Sequence, residues 1–328
     1  MREAMAVAQV GDDVYAEDPT VLALEAQAAE LLGQPAALFC LTGSMANLLG
    51  IWLIARIGCE VLCDAKAHMV RAELGAHSGL HGITTRTWTN LDGIACLDDI
   101  EPLVSFQGGH LVQTAAIEVE NTLNFANGAI QPLENVTQIA SFCQNNGLGL
   151  HIDGARLANA CVANQTRLAD YGSLATTVTL CLSKGLGAPM GSIVASSPDN
   201  IAQARVQRKR LGGGWRQAGV VAAAGIYALD HHIDRLVEDH RSATAFAAQV
   251  RRGAPWAVAS QIPTNIVVID TGSLTADFVV SQALQENLVI SKLGLHQVRA
   301  VTHLDVSLDE CIAAGQIVAN ILAQSEPK

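Results

Sequence analysis

Metal-type cysteine spacing is missing from this 328-residue chain. Its eight cysteines (Cys40, Cys59, Cys63, Cys96, Cys143, Cys161, Cys181 and Cys311) are scattered through apolar surroundings. Cys59 and Cys63 stand four apart, but no second pair answers them, which excludes a zinc ribbon and leaves no metal to expect. Reduced core thiols of a cytoplasmic protein are the expected reading. Charge is also scarce, at 16% of residues, and the basic kind scarcer: 20 Lys and Arg stand against 31 Asp and Glu, a net −11. That balance argues against a nucleic-acid or anionic-membrane partner, since both need clustered basic side chains. The longest apolar stretch, Leu48 to Ile57, is broken by Gly50 and Arg56 and is too short to span a bilayer. No secretion leader is evident. Neither a Walker loop nor a dinucleotide fingerprint occurs, and there is no internal repeat or low-complexity segment. What remains is a half-apolar composition, suited to a well-buried globule with one large core or a large and a small lobe.

Along the chain, strands and helices alternate. Asp18-Pro19 reads as a helix cap, Leu24, Ala28 and Leu31 recur at helical spacing, and Gly33 ends the run. Ala36 to Cys40 is strand-like and turns through Thr42-Gly43-Ser44 into a helix that stops near Gly58. Glu60 to Asp64 and Ala115 to Val119 are further strands. Pro132 to Asn146 is helical, and Leu148 to Ile152 is a buried strand that delivers Asp153. Thr177 to Leu182 delivers Ser183-Lys184, and Gly191 to Ala195 returns antiparallel to it. This pattern describes an α/β fold, a mostly parallel sheet covered by helices on both faces, whose ligands collect at the carboxyl ends of the strands. After Leu229 the texture changes. Asp230-His-His232 and a charged helix Arg235 to Arg252 read as a connector. Ile266 to Ile269, a helix Thr275 to Glu286, Val289-Ile290, Val298 to Val301 and a last helix make a smaller α+β lobe. The expected domains are 1–235 and 236–328.

The chemistry gathers at the strand ends. In Cys181-Leu-Ser-Lys184-Gly-Leu-Gly-Ala-Pro-Met-Gly191-Ser a lysine follows a buried strand inside a glycine-rich bend. Burial disfavours an ammonium and yields a free amine able to form a Schiff base, and the glycines leave room for a ring. A surface turn lysine would fit the same spacing, so a second motif decides. In His151-Ile-Asp153-Gly-Ala-Arg156 a carboxylate ends a buried strand 31 positions before Lys184. A pyridoxal ring requires such a carboxylate at its nitrogen to stay protonated. Arg156 falls within reach of the ring edge or of a substrate carboxylate. The backbone N–H groups of Gly43 and Ser44, with the Ser44 hydroxyl, form an anion cradle at a helix N-terminus. His68, after the strand ending at Asp64, could stack on a planar cofactor. His77 and His81 have no comparable context.

Asp153, Lys184 and the Gly43-Ser44 turn, in this order, resemble the aspartate-aminotransferase-like (fold type I) pyridoxal-phosphate enzymes. More narrowly the chain resembles the L-threonine aldolases. The carrying motifs are Gly11-Asp-Asp-Val-Tyr-Ala-Glu-Asp-Pro-Thr20, Thr42-Gly-Ser-Met-Ala-Asn47, Glu120-Asn-Thr122, His151 to Arg156, Cys181 to Ser192, Arg208 to Gln217 and Val298 to Asp305, which span nearly the whole chain. The resemblance implies pyridoxal 5'-phosphate as cofactor, bound to Lys184, paired with Asp153 and stacked on by His68. It implies that Gly43 and Ser44 bind the phosphate, that Lys209 and Arg216 reach it from a neighbouring subunit, and that Arg156 and Arg299 hold the substrate carboxylate. It also implies a homotetramer with active sites at a dimer interface, and cleavage of threonine-type β-hydroxy-α-amino acids to glycine and an aldehyde.

Three positions depart from the family pattern. Leu123 stands where a histidine often follows Glu-Asn-Thr and is proposed to assist the β-hydroxyl, which leaves His68 or water as the base. The chain opens Met1-Arg-Glu-Ala-Met5 in place of an Arg-Ser-Asp-Thr stretch whose serine helps bind the substrate carboxylate. Trp215 replaces a usual methionine. The competing readings are a β-eliminating lyase acting on amino acids and a catalytically silent binder of pyridoxal phosphate; a nucleotide-binding module built on Thr42-Gly-Ser is the weakest.

Overall fold

Continuous apolar runs become strands covered on both faces, as a parallel sheet between helix layers demands. The computed structural model describes residues 1–106 and 109–327. Among these, seven strands form the first sheet: β1 (Ala36–Cys40), β2 (Glu60–Asp64), β3 (Thr84–Trp88), β4 (Thr114–Glu120), β5 (Gly149–Asp153), β6 (Thr177–Cys181) and β7 (Ser192–Ser196). Their spatial order is β1-β7-β6-β5-β4-β2-β3. β7 runs antiparallel to both neighbours, and the other pairings are parallel. Every residue of β2, β6 and β7 is buried.

β3 is absent from the sequence expectation. Thr84-Thr-Arg-Thr-Trp88 has only its last residue buried, because an edge strand pairs through its backbone on one side and needs no apolar run. The helix Pro19–Leu31 has Asp18 as its cap, the carboxylate accepting from Thr20 N and Val21 N, as its sequence signature demands. The helix Gly43–Ile54 lies over the central strands; Gly50 sits so close to His151 that a Cβ there would come within 2.4 Å of the imidazole Cε1. Gly191 turns the chain back into β7 at φ +110°, a conformation that L side chains rarely adopt, with the Phe39 ring where a Cβ would stand.

The chain divides into two compact units, Met1–Leu123 with Ile130–Asp234, and Asn124–Ala129 with Arg235–Lys328. In the second, an antiparallel sheet of order β8-β10-β9 is built from β8 (Ile266–Asp270), β9 (Ser291–Gly294) and β10 (Gln297–Val301). Strand β9 starts at Ser291, directly after the apolar pair Val289-Ile290 that marked it in sequence. The charged helix is not a connector. Leu236–Gly253 buries Phe246, Ala247 and Val250 in the core of this unit, beside Val267, Val298 and Val318. Its charged residues occupy the other face, and that face dominated the sequence reading. No helix among the described residues is long and apolar enough to cross a membrane.

Candidate active site

Strand alternation builds the site. Glu118 and Glu120, two apart on β4, point to one face, and the register sets Glu118 opposite His151 and Glu120 opposite Asp153 on β5. His151 in turn faces Thr177 on β6. The helix Gly43–Ile54 closes this face and delivers Asn47, whose Nδ2 donates to Asp153 Oδ2 at 2.6 Å and to Glu73 Oε1 at 2.9 Å. Asn47 Oδ1 accepts from the Thr179 hydroxyl at 2.9 Å, so the amide is oriented from both ends.

Asp153 is 2% exposed. Besides Asn47 it accepts from Ala155 N at 2.9 Å, two donors for a carboxylate that can take about four. Glu73 is a hub. Its two oxygens meet His68 Nδ1 and His77 Nε2, both at 2.8 Å. Burial works to raise the Glu73 carboxyl, but the hydrogen bonds from His68, His77 and Asn47 outweigh it and hold it at about 2. The same bond to Glu73 raises the pKa of His68 against the effect of burial, with Asp153 adding to the rise and Lys184 opposing it. Polar atoms of His68, Glu73 and Asp153 lie within 4.8 Å of one another, and the His68 backbone N–H donates to Glu120 Oε2 at 2.7 Å. Lys184 is half-buried in the bend after β6 and close enough for its charge to act on His68.

The structure thus brings His68, Asp153 and Lys184 together at the carboxyl ends of the strands. At the Gly43 turn, the Thr42 hydroxyl caps the helix by accepting from Met45 N. The Gly43 and Ser44 N–H groups, in the first helical turn, have no intrahelical acceptor. A Cβ at Gly43 would meet nothing within 4 Å, so space is open beside this turn. Arg156 occupies the cap position of the helix Leu157–Asn164, half-buried. The basic run serves mainly the fold. Arg208 is buried and donates to Phe39 O and Asp13 Oδ2, and the half-buried Arg205 donates to Glu25 Oε2. Lys209 is exposed, and Arg216 donates to Asp12 Oδ2 at 2.7 Å and lies 5.9 Å above the Tyr15 ring. The loop between them runs past the turn: a Cβ at Gly213 would come within 2.7 Å of Met45 Sδ. Arg299 is in the second unit, half-buried on β10, with Nη1 on Asn124 Oδ1 at 2.7 Å.

Leu123 is fully buried. Trp215 packs edge-on against Phe39, ring centroids 5.5 Å apart. Five site residues carried no role in the sequence reading: Asn47, Glu73, His77, Glu118 and Thr179. Asn47 stood inside a quoted motif. His77, set aside for want of context, acquires it only when Glu73 folds between the two imidazoles.

Comparison with known proteins gives consistent results. The family pattern described as Beta-eliminating lyase matches residues 1–272. The low specificity L-threonine aldolase of Escherichia coli (strain K12) is 38% identical over 311 residues, covering 94% of this chain and 91% of that protein. Among solved structures, threonine aldolase from Leishmania major superposes with a TM-score of 0.83 at 21% identity, over 98% of this chain and 95% of that one. A serine palmitoyltransferase from S. paucimobilis, holding PLP bound with myriocin, gives 0.73 at 15% identity, over 98% and 81%. These two structural likenesses are of fold.

Proposed function

The chain belongs to the Beta-eliminating lyase family and, within it, to the low-specificity L-threonine aldolases, and on that premise we propose that it cleaves L-threonine and related β-hydroxy-α-amino acids to glycine and an aldehyde. The carrying observation is the convergence of His68, Asp153 and Lys184 at the strand ends. The residues present fit pyridoxal phosphate. Asp153 keeps capacity for a third donor, which a ring N–H would supply. The Lys184 side chain has no hydrogen-bond or ion-pair partner among the described residues, and space is open beside Gly43 in the turn that carries the two N–H groups.

Bound there, the cofactor supplies an electron sink for the pair left by the broken Cα–Cβ bond. The chain's own residues do the rest. Lys184 Nζ anchors the cofactor covalently, and Asp153 holds the proton on its ring nitrogen. Gly43 and Ser44 take the phosphate through N–H donation. Lys209 and Arg216 are assigned to the phosphate of a neighbouring subunit, in a homotetramer with active sites at a dimer interface. Arg156 and Arg299 are assigned to the substrate carboxylate, fixing which bond is presented for cleavage. His68, its Nδ1 committed to Glu73, keeps Nε2 for the cofactor face and for the β-hydroxyl proton, shared with water. Leu123, fully buried and apolar, offers no base. A cytoplasmic location is supported by eight free cysteines, seven of them buried.

Borohydride reduction of the protein with added pyridoxal phosphate, followed by peptide mass mapping, should place the adduct on Lys184. Incubation with L-threonine should release glycine and acetaldehyde. Ammonia and a keto acid in their place would make it a β-eliminating lyase. Equal slow release by wild type and Lys184→Ala would leave a cofactor-binding protein without the reaction.

A further inference from the structure

Of the two glutamates that β4 turns toward Asp153, one is satisfied and one is not. Glu120 accepts the His68 backbone N–H. Glu118 is 1% exposed, and neither of its oxygens finds a donor. One oxygen from each of Glu118, Glu120 and Asp153 lies within 4.8 Å of the other two. The titratable groups acting on Glu118 are Glu120 on its own strand, Asp153 from β5, Asp64 from β2 and Glu73; the Cys63 thiol of β2 also feels its charge. His151 stands opposite in register, turned to Thr177 and Asn47. No cation is among these groups. Glu118, this dry, facing two further carboxylates and offered no donor, is the member able to hold a proton and become a donor itself.

We propose that Glu118 is a positioning residue, a neutral carboxylic acid behind Asp153 whose O–H is shared with the Asp153 and Glu120 carboxylates. Burial, then the charges of Glu120, Asp153, Glu73 and Asp64, push its pKa well above the carboxylate range. The inference rests on the reading that Asp153 holds the ring nitrogen of the cofactor. A hydrogen bond donated to Asp153 lowers the basicity of that carboxylate, so the shared proton stays on the ring. Without it, Asp153 draws the proton to itself and the ring becomes a poorer electron sink.

Three measurements test this. The infrared spectrum of the apoprotein at neutral pH should contain a carboxylic-acid C=O band that Glu118→Gln removes; absence of such a band in wild type overturns the proposal. The melting temperature of apo Glu118→Gln should rise relative to wild type as pH increases above the ordinary glutamate value, because a raised folded-state pKa contributes stability that is lost as pH rises toward it. A difference that is flat with pH also overturns it. In the reconstituted protein, the pH midpoint of the cofactor's visible band should shift upward in Glu118→Met, since a less positive ring lets the linkage nitrogen keep its proton to higher pH. It should return toward wild type in Glu118→Gln, whose amide N–H still donates. Identical midpoints in all three proteins would reduce Glu118 to filler and sink its link to the cofactor. If wild type takes up no cofactor, the functional reading and that link fall together, while the infrared and melting arms separately decide whether Glu118 is a neutral acid.

Discussion

Two buried clusters of charge in the first unit differ in how they are balanced. Near the N-terminus, Asp13 and Glu25 meet two guanidiniums: Arg208 on Asp13 at 2.5 Å and Arg205 on Glu25 at 2.6 Å. Even there burial outweighs the attraction at Glu25, whose pKa is raised despite Arg205 and the Phe39 N–H. At the strand ends Asp64, Glu73, Glu118, Glu120 and Asp153 gather around His68, His77 and Lys184, with Lys66 acting on Asp64 alone among them. The first cluster is closed: each acid is matched by a cation from a distant stretch of chain, and it joins the N-terminal loop to the helix Pro198–Arg210. The second carries more acid than its own cations answer and keeps open acceptor capacity at Asp153. A matched cluster holds a fold together, and an unmatched one suits the positively charged ring proposed to bind there.

The contrast can be broken from either side. The largest effect belongs to the open cluster: Lys184→Ala should lower kcat/KM for threonine by about 10⁴-fold or more while circular dichroism and melting stay near wild type. A variant that loses its fold instead would make Lys184 a structural residue. Next, Arg208→Met should destabilise the protein by about 3 kcal/mol in urea denaturation, since it leaves the buried Asp13 carboxylate with only Arg205, 3.4 Å from its other oxygen; a change below about 1 kcal/mol would erase the distinction. Asp153→Asn should cost about 10²–10³-fold in kcat and weaken cofactor retention with little loss of stability.

The smallest effect is a matter of pH. Glu73 is held at about 2, below its ordinary 4.5, so its contribution to stability is present above about 4.5 and is lost as pH falls toward 2. Glu73→Gln should therefore flatten the acid limb of the stability curve across that window. It should also lower the pKa of His68, read from the imidazole proton shift in NMR. Glu118 titrates in the opposite sense, so two carboxyls of one site should bend the stability curve in opposite directions.

The strings that carry the proposed site were legible because the proposed chemistry demands them locally. A lysine in a glycine-rich bend after β6 and a carboxylate at the end of β5 are placed by the chain within a few residues of a strand end, and strand ends are visible as apolar runs. Glu118 was invisible as a site residue because one acid inside a strand says nothing about what stands opposite. Its role depends on a register that pairs β4 with β5. Glu73 and His77 were illegible for a related reason: two short helical turns, His68–Arg71 and Ala76–Gly79, must fold before the carboxylate can lie between the imidazoles. The edge strand β3 and the amphipathic helix Leu236–Gly253 misled for opposite reasons, one too polar to look like a strand, the other too charged to look like core.

By itself the sequence determined the class of fold, the cofactor and the residues at the ends of β5 and β6, because backbone periodicity and strand-terminal chemistry are properties of neighbouring residues. Only the tertiary structure decided which acids are answered by cations and which are not. Charge balance in a low-dielectric interior is set by groups brought within a few ångströms from far along the chain, and no local reading of residues can count them.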